Sequence, residues 1–247
     1  MILTIAGKEL RRLFTSPLAW VILAFLQFIL ALFFVLGLRA FFDTQAQMAM
    51  LPGAPGFTVY VVGSSFGAAR IILLMVVPLL SMRLIAEERR NQTLPFLISA
   101  PVSISEVVLG KFLGLLAFLS LAVGLLVLMA SSLYLGGKLD LGLLAANVLG
   151  LLLLCGTFAV VGLYLSSLTS NPLVAAVGTY GLLLLLWLIN AGTDDPNSPL
   201  HVLSLIKHLD TFAKGTLAVS DLVYYVVLIV LFLLLSIRRL DADRLRT

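Results

Sequence analysis

Charge is scarce in this sequence. Lys, Arg, Asp and Glu make up 11% of its 247 residues, against 61% for the apolar types, whereas a water-soluble domain carries roughly 25% charged residues. So little charge excludes the polar shell of a water-soluble globule, and the lipid bilayer is the solvent that suits the remainder. Cysteine is scarcer still. Cys155 stands alone in an apolar run, which excludes an internal disulfide and reads as a small buried hydrophobe. A G-x-x-x-x-G-K-[ST] phosphate loop is missing, since Gly136–Gly137–Lys138 is followed by Leu139. No basic stripe is interleaved with aromatics, which argues against nucleic acid as a partner. The twelve Asp and Glu lie outside the apolar runs or near their ends. That placement argues against an ion-coupled transporter, whose proton relays put carboxylates inside the membrane. Charges precede the first apolar run and no small-residue cleavage site follows it, so a cleaved signal peptide is not expected.

Long apolar runs are what the sequence has in abundance. Six of them, at residues 17–38, 61–85, 105–135, 141–168, 172–191 and 219–237, are long enough to span as helices. Helix rises about 1.5 Å per residue, so some 20 residues cross a hydrocarbon core of roughly 30 Å. The third run is over-long, and its first turns, including Lys111, are expected to stand in water. Six spans put both termini on one side, together with the 87–111 insert and a short loop at 166–171. That side carries Lys8, Arg11, Arg12, Arg83, Arg89, Arg90, Lys111, Arg238, Arg239, Arg244 and Arg246, eleven basic residues. The other has four, Arg39, Lys138, Lys207 and Lys214, with Arg70 left at depth. The excess makes the termini cytoplasmic. The expected fold is one all-α polytopic domain over residues 1–247, in a bacterial or archaeal cytoplasmic membrane.

Two segments outside the spans carry pattern. In residues 1–16, Ile2, Leu3, Ile5, Ala6, Leu10, Leu13 and Phe14 fall on one half of a helix and Lys8, Arg11 and Arg12 on the other. A basic amphipathic helix of this kind lies in the headgroup plane. Glu9 breaks the pattern by landing on the apolar half. The second segment is the insert "EERRNQTLPFLISAPVSIS", the coupling region 87–105. Thr93 can cap a short helix presenting Leu94, Phe96, Leu97 and Ile98, which Pro101 ends, and Ser103 to Glu106 matches a capping box for the next span. A plain turn needs only a few residues. A short helix with apolar anchors and charged flanks, Glu87 and Glu88 among them, reads instead as a docking element for a cytoplasmic protein.

Three stretches resemble a known family. They are "KELRRLFTSPLAW" from Lys8, "PLLSMRLIAEERRNQTLPFLISAPVSISEVVLGK" from Pro78 and "HLDTFAKGTLAVSDLVYY" from His208. They resemble ABC-2 type permeases, the membrane subunits of ABC exporters, and are most similar to the gliding-motility-associated permeases. Such members usually carry Gly-Thr where this chain has Gln92–Thr93. The resemblance implies six transmembrane helices, an N-terminal elbow helix over 1–16, a coupling helix at 93–99 and an outer re-entrant segment at 193–218. It also implies a non-catalytic subunit that binds no cofactor itself. ATP and magnesium would belong to a partner ATPase, and a second permease copy or homologue would complete the assembly. Two functions fit: export of a substrate, or force transmission and anchoring in a motility or pilus assembly.

Other constellations carry less. Residues 63–67 match G-x-S-x-G literally, but a nucleophile elbow needs a strand-to-helix turn, and this copy opens a membrane helix. His201 and His208 near Asp194, Asp195 and Asp210 form no ligand motif and read as solvated loop residues. Arg70 either snorkels outward or lines a substrate path. Asn147 and Asn190 are further path candidates that could equally join helices, and Gly110 and Gly114 allow a close helix approach within one subunit or between two.

Overall fold

A computed structural model of the chain describes residues 1–48, 56–94, 102–135, 139–189 and 203–244, and these form helices and turns without strand. In chain order they are α1 (Ile2–Thr15), α2 (Pro17–Met48), α3 (Phe57–Ser81), α4 (Ala86–Arg90), α5 (Ile104–Ser131), α6 (Leu141–Leu168), α7 (Pro172–Leu188), α8 (Leu205–Ala213) and α9 (Val219–Arg244). A 3-10 turn, Ser132–Leu135, closes α5.

Among the described residues, five stretches are long and apolar enough to cross a membrane: Pro17–Gln45, Phe57–Arg90, Ile104–Tyr134, Leu141–Leu168 and Val219–Arg244. The sixth expected span falls short. Helix α7 has 17 residues, about 26 Å at ~1.5 Å per residue, and the rest of that predicted run, residues 190 and 191, lies outside the described residues.

The long helices alternate in direction. At one end Phe41 of α2 meets Phe57 of α3 with ring centroids 5.0 Å apart, and the Asp140 N–H before α6 donates to Thr58 Oγ1 at 3.3 Å. At the other end Arg89 of α4 pairs with Asp243 of α9, and the Met1 amino group lies 3.9 Å from Glu106 of α5. The start of α1 and the end of α9 therefore share one end of the bundle, called the hub end below.

Helix α6 is the axis. Its middle, including Leu154, Cys155, Phe158, Val160, Val161 and Leu163, is fully buried. A Cβ added at Gly162 would stand 1.9 Å from Ser81 Oγ, so only glycine lets α3 approach this closely. Helices α2 and α9 are peripheral and turn Phe25, Phe28, Val226 and Val227 outward. Between α2, α3, α5 and α6 a void of about 10 Å³ is lined by apolar side chains such as Leu26, Leu73 and Leu126, at the lower limit of what holds one water.

Helix α1 departs from expectation. Its contacts climb in step along α5: Met1 with Glu106, a Gly110 Cβ position 2.6 Å from Ile5 Cβ, a Gly114 Cβ position 2.8 Å from Glu9 Cβ, and Phe14 against Phe118 with centroids 5.6 Å apart. The two helices run side by side in the same direction, so α1 is fastened along α5 rather than lying apart on the bundle surface. The G-x-x-x-G pair makes this approach possible, which assigns it to packing within the subunit. Lys8 and Arg11 remain exposed, whereas Arg12 is half-buried.

Candidate functional site

The polar chemistry of the hub end collects where α3 breaks. Pro78 sits in the last turns of α3 and has no N–H to donate to the preceding turn. The helix stops at Ser81, and Met82 to Ile85 form a turn before α4 resumes. Two backbone N–H groups are thereby left over. Both are taken by one side chain of α6: Ser166 Oγ accepts from Ile85 N at 3.0 Å and from Ala86 N at 2.9 Å, and donates to Met82 O at 2.8 Å. Ser166 is fully buried, so one hydroxyl satisfies three backbone groups that water cannot reach.

Helix α4 is the run Ala86 to Arg90, and three of its charged residues tie it in different directions. Glu87 accepts from Arg12 of α1 at 3.0 Å. Glu88 accepts from Lys111 of α5 at 2.6 Å. Arg89 donates to Ser167 O at the end of α6 at 2.8 Å and pairs with Asp243 of α9, which Arg239 also approaches at 3.7 Å. Lys111 lies between two carboxylates, Glu88 and Glu9, the latter at 2.7 Å, and both Lys111 and Glu9 are buried. Lys111 therefore does not stand in water as its sequence position predicts. Glu9, the residue that spoils the amphipathic pattern, is its buried counter-charge.

The end of α4 explains the one departure from the family pattern. Thr93 N donates to Glu88 O at 2.9 Å and Gln92 N to Arg89 O at 3.3 Å, the paired bonds of a Schellman cap. Gln92 is the residue between, with φ 57, the left-handed conformation that glycine adopts most easily. Thr93 Oγ1 donates back to Glu88 O at 3.2 Å. Thr93 thus closes α4, and the helix it is expected to cap lies, from residue 95 on, outside the described residues.

The other expected site residues fall as follows. Leu94 is buried in the core of this one chain, so it is not an exposed anchor. Phe96 and Leu97 lie outside the described residues, as do Asn190 and His201. Asn147 is buried and folds its amide onto Leu143 O at 2.9 Å. Arg70 is mostly covered and faces Asp210 of α8 at 3.7 Å. His208 is not a solvated loop residue: it belongs to α8, stacks on Tyr224 with ring centroids 4.1 Å apart, and lies 2.7 Å from Asp221. Ser64 and Ser65 sit within α3 and both donate to Val61 O, at 3.0 and 2.8 Å. The strand-to-helix turn of a nucleophile elbow is absent there. Ser166, Ser167 and Asp243 were not singled out by sequence reasoning. They sit in the last turn of α6 and at the charged end of α9, and only Glu9's misplacement hinted at a buried polar cluster.

A bundle of apolar helices with most of the ion pairs among its described residues gathered at one end, around a break in α3, defines a polytopic membrane protein with a polar junction at one face. The sequence matches ABC-2 family transporter protein over residues 3–245, and the chain belongs to that family. Its members are generally non-catalytic membrane subunits that typically work with an ABC ATPase. No curated protein matches the sequence.

Proposed function

We propose that this chain is the permease half of an ATP-driven exporter. It crosses the cytoplasmic membrane six times with both termini inside, and it pairs with a second copy or a homologue. A separate ATPase binds ATP and magnesium. Two points support this reading: the family and the shared end of α1 and α9. The observation that carries it is the junction at α4. A short segment just before residues 93–99 is tied by Glu87, Glu88 and Arg89 to α1, α5, α6 and α9 together.

In this mechanism the ATPases close on ATP and move the 93–99 segments. Helix α4 passes the displacement to the spans, and access switches to the outer side. Few charges line the spans, which favours a lipidic or amphiphilic cargo. The likeness to gliding-motility permeases belongs to the same reading.

The test is co-purification with an ABC ATPase partner. Replacing Phe96 and Leu97 with Asp is expected to abolish ATPase association and ATP-driven activity, and retention of both would refute the proposal. ATPase stimulation by an amphiphilic substrate supports export, whereas binding without stimulation by any cargo points to force transmission.

A further inference from the structure

We infer that the hub end holds a binding site for the headgroup of an anionic phospholipid, in the cleft between the α3–α4 turn and the start of α7. The cleft has a volume of about 310 Å³, and its lining includes Arg83, Arg90, Asn91, Asn171 and Glu87. That is within the roughly 300–1,000 Å³ typical of ligand clefts.

Its charge is unbalanced in a specific way. Arg12, Arg70, Arg89, Arg239 and Lys111 each have a carboxylate partner. Arg83 and Arg90 have none among the described residues, and both are exposed. Glu87, the one carboxylate of the lining, is already engaged by Arg12 at 3.0 Å. Two guanidinium groups thus face one cleft with no protein anion to answer them, and planar guanidinium matches phosphate geometry. Asn171 accepts from Leu173 N at 3.0 Å through Oδ1, which leaves its NH₂ to donate.

What distinguishes a lipid from a free anion is the surface below. The cleft continues into a seam between α3 and α7. There the Tyr180 hydroxyl donates to Met75 O and joins the two helices. Along this seam Met75, Leu79, Leu173 and Val177 are 60, 38, 69 and 64% exposed. A phosphodiester between Arg83 and Arg90 would have its acyl chains run along these side chains. Inorganic phosphate would gain nothing from them. The inference requires a membrane boundary at the end of α3 and does not depend on ATPase coupling.

The test uses the full chain in nanodiscs containing equal phosphatidylglycerol and phosphatidylcholine, with retained lipid read by native mass spectrometry. Wild type is expected to keep phosphatidylglycerol selectively. The double variant R83Q/R90Q should keep about tenfold less. The variant R39Q/K214Q, which removes the same charge at exposed positions away from the cleft, should match wild type. Both variants should unfold at the wild-type temperature, because none of the four residues has an ion pair among the described residues. Equal retention by R83Q/R90Q, or equal loss in R39Q/K214Q, overturns the assignment. Displacement of the lipid by excess inorganic phosphate would make this a small-anion site and also overturn it.

Discussion

Two residues show how local chemistry at the hub decides stability. Gln92 occupies a left-handed position, φ 57, that closes α4. A side chain costs roughly 1–2 kcal/mol there, partly offset by the entropy glycine adds to the unfolded chain. Gln92→Gly is therefore expected to stabilise the protein by up to about 1 kcal/mol, read as a higher unfolding temperature in detergent. Lys111 makes the opposite case. It is buried between Glu9 and Glu88, and Lys111→Met would leave Glu88 without its cation and Glu9 with only Arg12, at 3.7 Å. Breaking a buried pair from one side costs about 3–5 kcal/mol. Adding Glu88→Gln should recover part of that loss, because the orphaned charge is gone. An unfolding temperature for Lys111→Met equal to wild type would contradict this account. The more exposed Arg12–Glu87 pair is worth under about 1 kcal/mol by the measure of surface ion pairs.

At the scale of elements, the apolar runs were legible because membrane helices announce themselves by length and hydropathy alone. The five long spans and the capping box at Ser103 and Glu106 follow the sequence closely. The lie of α1 did not follow. Amphipathicity gives a helix an apolar face but not the surface it meets, and here that surface is the Gly110–Gly114 groove of α5 rather than open headgroups. Glu9 was the legible clue, a carboxylate on an apolar face that only a buried cation explains. The clamp on α4 was illegible for another reason. Ser166 joins residues some 80 positions apart, and no local pattern marks one serine in the last turn of an apolar helix. Ser166→Ala would leave buried N–H groups unpaired, at about 1–3 kcal/mol. Its expected signature is faster amide exchange at Ile85 and Ala86 with the far end of the bundle unchanged. Exchange at wild-type rates would mean that the three bonds do not hold the turn.

For the whole molecule, the lone cysteine is an experimental asset. Cys155 is fully buried at the centre of α6, so native protein in detergent is expected to resist maleimide and to react once denatured in dodecyl sulfate. Labelling of the native protein would show that α6 is not the packed axis described. In that silent background, Lys8→Cys and Lys214→Cys should be labelled from opposite faces of the membrane if the chain crosses six times. The Ser166 hydroxyl has a further consequence. It has one proton and two lone pairs, and all three are committed to the turn between α3 and α4. Because a single atom carries all three bonds, the joint has one point of failure: removing that hydroxyl frees Met82 O, Ile85 N and Ala86 N together.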